Sequence, residues 1–225
     1  MLEPLLLTVR LAFLTCLTLL LFAAPLGWLF ARKDFRGKAI LETLLLLPLV
    51  LPPVVLGFYI LLLLGKNGPL QQWFGFSLAF TFEGVLVGLV LFNLPFALSN
   101  YREAFRAIDP TLLETARTLG APPWRVWREI ILPLAAPGLL SGTLLVFANV
   151  FGDFGVVLMI GGSLPGETQV VSIYIYELTQ ALRLQEANLA ALVLVMISFV
   201  LMYAIRQLEA RWKSVIRLAT QSPSK

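Results

Sequence analysis

The sequence predicts an all-α polytopic membrane protein: a single transmembrane domain over residues 1–225, with about five spanning helices and one short helix in a polar loop. Three observations carry that prediction. Composition is the first. Hydrophobic residues fill 59% of the chain and charged residues 13%, against about 25% charged in soluble domains, and mean hydropathy is +0.87. The second is uninterrupted length. Leu11–Ala31, Thr43–Gly65, Gly84–Tyr101, Ile130–Gly152 and Ala187–Ile205 contain no Asp, Glu, Lys or Arg. A helix needs roughly 20 such residues to cross a hydrocarbon core about 30 Å thick. The third is the placement of the cations. Arg32, Lys33, Arg36 and Lys38 follow the first run; Arg102, Arg106, Arg117, Arg125 and Arg128 follow the third; Arg206, Arg211, Lys213, Arg217 and Lys225 follow the fifth. A β-barrel is excluded, because its strands alternate apolar and polar residues over about ten positions and these runs do not alternate.

The first span is expected at residues 8–31 and is expected to be retained. Its apolar stretch exceeds the 7–15 residues usual for a secretory leader, and Met1-Leu2-Glu3 has no basic start. Cys16, the only cysteine, sits inside it as a small apolar residue. With no histidine and one cysteine, an internal disulfide and any zinc or haem site built from His and Cys are excluded. The basic residues that follow place the end of this span in the cytoplasm by the positive-inside rule, with the N-terminus outside. Arg10, near the outer end, is expected to snorkel to the headgroups.

The second span is expected at 43–65. It carries Pro48, Pro52 and Pro53 near its middle. Each proline removes an intrahelical hydrogen bond. Irregular backbone survives in lipid only where protein or a water-filled cavity satisfies it. These prolines read either as an ordinary kink or as a mark of a translocation path. Asn67-Gly68-Pro69 then turns the chain outside, and the third span is expected at 83–101. After the polar loop at 102–129, the fourth span is expected at 130–152. Residues 153–186 return outside, with the half-apolar Thr168–Leu182 as a short helix against the outer ends of the others. The fifth span, 187–206, delivers the C-terminus to the cytoplasm. A six-span threading puts the basic tail on the wrong side. No charged residue lies at the centre of any expected span, so energy is expected to enter from outside this chain. The net charge of +4 follows the membrane topology and does not point to nucleic acid.

The polar loop holds a helix bounded by local signals. Asp109-Pro110 supplies a cap and a first-turn proline, and Gly120 with Pro122 and Pro123 supplies a stop. The spacing predicts Leu112, Ala116 and Leu119 on one face, with Thr111, Glu114 and Thr118 toward another. Such a helix suits a groove in another protein; it also suits the headgroup layer, with the arginines toward phosphate and Trp124 and Trp127 at the interface.

The spacing of Glu114 and Ala116, Gly120 four residues later, then Ile130, Leu132 and Pro133 resembles the signature loop of ABC-importer permeases, with Thr115 where the pattern usually has Ala. The stretch Leu47-Pro48-Leu49-Val50-Leu51-Pro52-Pro53 is similar to the second helix of permeases for molybdate and related oxyanions such as sulfate. Gly152-Asp153-Phe154-Gly155 and Leu164-Pro165-Gly166-Glu167-Thr168-Gln169 resemble the segment after the fourth span in the molybdate members, where Glu is commoner at the position of Asp153.

That resemblance covers about residues 5–206 and implies a type I importer fold in a bacterial or archaeal inner membrane. It implies a homodimer of permeases, two cytoplasmic ATPase subunits that bind the ATP and magnesium, and an external oxyanion-binding protein. Asp109, Leu112, Glu114, Ala116, Leu119, Gly120, Ile130, Leu132 and Pro133 are then the ATPase-coupling residues. Pro48, Pro52, Pro53, Gly152, Asp153 and Gly155 are candidates for the translocation path. Molybdate or tungstate is the expected cargo, with sulfate or thiosulfate as the alternative. The chain itself is expected to hold no cofactor and no catalytic or metal site. It has no phosphate-binding loop, since Gly37-Lys38 is followed by Ala39 and Gly65-Lys66 by Asn67. A membrane-embedded enzyme is disfavoured by the missing histidine and intramembrane acid; an ATP-independent channel or carrier is the alternative from another class.

Overall fold

The computed structural model describes residues 1–220, without the side chains of Ile205 and residues 208–220, and every regular element among the described residues is helical. Five segments are long and apolar enough to cross a membrane: Leu2–Arg32, Pro53–Phe74, Phe82–Arg106, Pro123–Gly152 and Leu184–Ala204. Of the basic tail, the side chains of Arg211, Lys213 and Arg217, and Lys225 altogether, lie outside the described residues.

The core is a bundle of three helices. α1 (Leu2–Arg32) buries Leu11, Ala12, Leu19 and Ala23 against α5 (Phe82–Arg106) and α8 (Leu132–Gly152), which contribute Val85, Leu89, Ala97, Ala135 and Val146. Outside the bundle, Phe13, Leu21, Val195 and Phe199 are exposed; apolar faces like these need lipid or another chain as their solvent. α5 and α8 run antiparallel and very close. A Cβ on Gly138 would meet the Ala104 Cβ at 2.5 Å, and one on Gly142 would meet the Asn100 Cβ at 2.7 Å. Two glycines four residues apart remove side-chain bulk from one stripe of α8 and let the backbones approach, as in other membrane helix pairs.

The expected second span is not one kinked helix. α2 (Lys38–Leu46) ends in a 3-10 turn at Leu47–Leu49, and α3 (Pro53–Leu64) begins afresh. Pro48 cannot donate back along α2. Pro52 is extended, with φ −55° and ψ 136°, and Pro53 takes the first helical position, which suits proline. α2 buries no residue at all. α3 is fastened instead through Ile60 and Leu64 to Val156 and Ile160 of α9 (Gly155–Gly161). Beyond it, the short α4 (Pro69–Phe74) leads to α5.

After α5 come α6 (Pro110–Thr118) and the single turn α7 (Pro123–Val126), then a π turn at Trp127–Ile131 that runs into α8. The fourth helix therefore starts well before the expected Ile130. Pro133 supplies the reason: its ring displaces the preceding carbonyls, and a wider turn absorbs the displacement. α10 (Val171–Gln180) is wedged into the bundle, since the Val171 amide donates to the buried Thr8 hydroxyl at 3.0 Å and Ile173 is fully buried. α11 (Leu184–Thr220) packs Ala187 and Ala190 on Leu178 of α10.

The two ends of the bundle differ. Arg32 of α1 reaches the carbonyls of Phe105 and Ile108, so the first two basic clusters share one end with α6. The N-terminus lies at the opposite end. There, the exposed Arg10 stacks 4.5 Å from the Phe82 ring centroid.

Candidate functional site

Two places gather the residues singled out by sequence, one at the basic end of the bundle and one on its flank. At the basic end, α6 is closed by its own chain. Asp109 accepts hydrogen bonds from the Thr111 amide at 2.9 Å and from the Thr111 hydroxyl, the arrangement of an N-cap. These bonds, the hydroxyl's first, hold the Asp109 carboxyl below the usual carboxylate range. At the other end, the Ala121 amide donates to Ala116 O at 3.0 Å and the Gly120 amide to Arg117 O at 2.9 Å, with Gly120 at φ +80°. This pair of bonds is a Schellman ending, which places its left-handed residue where glycine carries no Cβ penalty.

The bundle seats α6 by a ridge other than the Leu112–Leu119 side, which stays exposed. Leu113 is buried at 6% exposure and Ala116 packs on the core beside Ala121, whereas Leu112 is 50% and Leu119 82% exposed. The helix seats along the ridge of residues 113 and 116 because Ile108, Phe105 and Val126 close beneath it. Leu112, Glu114, Leu119 and Gly120 are left facing away from the bundle, with Trp124 also exposed. Ile130, Leu132 and Pro133 do not join this face. They lie in the π turn and the start of α8, with Ile130 against the core and Leu132 and Pro133 exposed.

A group that the sequence reading treated only as topology markers supports α6 from behind. The Arg32 guanidinium donates from Nη2 to Phe105 O at 3.0 Å and to Ile108 O at 2.6 Å. The ring of Trp28 lies 5.3 Å from Phe105 and 4.8 Å from Trp127, centroid to centroid. Arg102, likewise read as a topology marker, pairs with Glu42 of α2 at 3.2 Å.

On the flank of the bundle, between α3, α5, α8 and the start of α9, an open cleft of about 360 Å³ is lined by Pro53, Phe92, Ala148, Asn149, Gly152, Asp153, Phe154 and Gly155. Four of the six path candidates meet here; Pro48 and Pro52 do not line it. Phe92 follows the start of α5 by ten positions, roughly 15 Å of helix, so the cleft lies part-way along α5. Asp153 sits in the break between α8 and α9, just past the end of the fourth span, with only 6% exposure. Its Oδ1 accepts from the Val156 amide at 3.3 Å and its backbone carbonyl from the Ser172 hydroxyl at 2.6 Å, while Oδ2 has no hydrogen-bond partner among the described residues. Beside it, the Asn149 amide donates to Asn93 Oδ1 at 2.8 Å, and the Asn93 amide to Leu89 O at 2.9 Å. The sequence showed these asparagines only as polar residues within long apolar runs. An unpaired carboxylate oxygen and two amides, with no fixed cation, can exchange hydrogen bonds with a passing solute but offer no strong electrostatic trap to an anion.

A family model described as "Binding-protein-dependent transport system inner membrane component" matches residues 23–214. The chain is 41% identical over 203 residues to the molybdenum transport system permease protein ModB of Azotobacter vinelandii, covering 88% of this chain and 90% of the relative. It is 40% identical over 168 residues to the corresponding protein of Escherichia coli K12, covering 71% and 73%. The sulfate transport system permease protein CysW of Synechocystis is 33% identical over 208 residues, covering 91% of this chain and 75% of the relative. Among solved structures, a chain of the inward-facing MetNI methionine ABC transporter matches with a TM-score of 0.68 at 18% identity, covering 92% of this chain and 93% of that one.

Proposed function

The chain belongs to the family of inner-membrane components of binding-protein-dependent transport systems, and on that premise we propose that it is the permease subunit of an ABC importer that carries molybdate, or its near twin tungstate, into the cytoplasm. The observation that carries the reading is α6: a nine-residue helix capped at both ends, with Leu112, Glu114 and Leu119 turned away from the bundle at its basic end. A helix that short is marginal in isolation. Here its caps and the buried Leu113 hold it in shape while its other face stays free for a groove in a second protein. The cargo follows from the similarity to molybdenum-transport permeases.

In this reading two copies of the chain form the pore, in a bacterial or archaeal inner membrane, with the N-terminus outside and the C-terminus inside. Each copy docks α6 in the cleft of one cytoplasmic ATPase subunit, which binds the ATP and magnesium. An external binding protein delivers the oxyanion to the far end. Closure of the ATPase pair draws the two α6 helices together and opens the bundle outward. The anion then passes the cleft at Asn149 and Asp153, where the absence of a fixed cation keeps a dianion from lodging. The chain performs no chemistry on its cargo.

The test is uptake of labelled molybdate by vesicles holding this chain, its ATPase and the binding protein. Uptake is expected only with ATP and only with the binding protein. Uptake that persists without ATP overturns the importer reading in favour of a channel or carrier. The similarity to sulfate permeases makes sulfate the second candidate cargo. Inhibition of molybdate uptake by an equal concentration of sulfate would assign sulfate or a mixed specificity.

A further inference from the structure

We propose that Arg32 is a positioning residue for energy coupling, the tie that makes α1 move with the docking helix α6. The proposal rests on the importer reading above and adds to it a specific link inside the membrane subunit.

Arg32 ends α1, and its single Nη2 bridges Phe105 O and Ile108 O at 3.0 and 2.6 Å. Phe105 O belongs to the last turn of α5 and Ile108 O to the link just beyond it, where orphan acceptors and the negative end of the helix dipole both favour a cation. Ile108 immediately precedes Asp109, the cap of α6, so the guanidinium grips the chain one residue ahead of the docking helix. The same guanidinium lies 5.4 Å from the Trp28 ring centroid, a cation–π contact that fixes its plane. Trp28 in turn meets Phe105 of α5 and Trp127 of the π turn. The ends of α1 and α5 and the entry to α8 thus form one cluster directly behind α6.

Alternatives for transmitting a push from α6 to α1 are poor. Beyond Arg32 the chain continues as a five-residue turn, 33–37, to α2, and α2 buries no side chain. At this end α1 meets α5 also through Trp28 on Phe105 and the close approach of Gly27 to Tyr101, side-chain packing that carries no hydrogen bond and so holds the direction along the helix axis less firmly. A charged donor, Nη2 on a planar group held by the Trp28 ring and bonded to two main-chain carbonyls, resists sliding. Displacement of α6 then drags the end of α1 along with α5 and α8 as one body.

A purely structural helix-ending role makes a different prediction, and the experiment separates the two. The complete importer, with the Arg32→Ala chain in place of the wild type, is reconstituted in vesicles with its ATPase and binding protein. Three quantities are read: ATPase co-purification, ATP hydrolysis, and molybdate taken up per ATP hydrolysed. The expected result is normal co-purification and continued hydrolysis, with uptake per ATP down about tenfold, the scale of losing a charged hydrogen bond. Arg32→Lys, which keeps the charge but not the fork, is expected to fall between Ala and wild type. An unchanged uptake ratio in Arg32→Ala overturns the proposal. Should Arg32→Ala fail to assemble, Arg32→Lys decides, and a wild-type ratio there overturns it equally. The wild-type vesicles measured in parallel test the importer reading on their own: ATP-dependent uptake there with no change in the variants refutes the tie alone.

Discussion

At the residue scale, Gly120 shows how much a single backbone angle contributes. Its φ of +80° is set by the Schellman bonds to Ala116 and Arg117, and a Cβ added there meets nothing within 4 Å. The cost of Gly120→Ala is therefore conformational alone, about 1–2 kcal/mol. The Gly120 and Ala121 amides are expected to exchange with solvent roughly tenfold faster in that variant, measured by hydrogen exchange of the purified protein. Unchanged protection would mean that the loop, and not the helix ending, sets the geometry. Asp109, Pro110 and Gly120 were legible in the sequence because caps are local: they depend on neighbours three or four positions away. Which ridge seats α6 on the bundle was not legible, for the opposite reason. A nine-residue helix with several apolar positions has more than one plausible inner ridge, and Phe105, Ile108 and Val126, distant in sequence, chose the one through Leu113 and Ala116.

At the element scale, the tightest joint is the crossing of α5 and α8 at Gly138 and Gly142. Gly142→Val places branched carbons where Asn100 and Tyr101 already lie, with the first at 2.7 Å from the Asn100 Cβ. Overpacking of this kind costs about 1–3 kcal/mol, and the variant is expected to melt roughly 5 °C lower in detergent. Gly152→Ala, whose added Cβ meets nothing within 4 Å, is the control and is expected to melt as the wild type does. Equal melting of the two variants would remove close helix approach as the basis of the joint. The helices themselves were readable from their apolar length. Their ends were less so. The break at Pro48–Pro53 and the π turn ahead of Pro133 both follow from proline chemistry, yet whether a proline kinks, breaks or widens a helix depends on what packs beside it. α2 buries nothing and the chain breaks there; α8 is packed on two helices, so the distortion is absorbed in its first turns.

At the scale of the whole molecule, the cleft is the feature that no single segment contains. Pro53, Phe92, Asn149 and Asp153 come from three helices and a break, and they meet only because α5 and α8 are antiparallel and α9 turns back along α3. Asn149→Leu fills the cleft with an apolar side chain and strips Asn93 Oδ1 of its donor. The expected outcome in the reconstituted importer is a fall in molybdate uptake of about tenfold, with ATPase co-purification unchanged because α6 lies at the other end. Full uptake in that variant would place the path elsewhere in the bundle.

The sequence by itself determined the helical membrane class, the number of crossing segments, the shared end of the first two basic loops and both caps of α6. Each of these rests on a local quantity: the hydrophobic length a bilayer demands, the placement of cations near span ends, or hydrogen bonds that close within one turn. Only the tertiary structure decided which ridge of α6 is buried, that Arg32 grips the carbonyls ahead of it, and that a buried carboxylate at Asp153 lines a cleft between α3, α5 and α8. Those depend on contacts between residues tens of positions apart. In lipid, where apolar side chains have no preference between a neighbour and the solvent, it is close backbone approach and the pairing of a few polar groups that select among the possible packings.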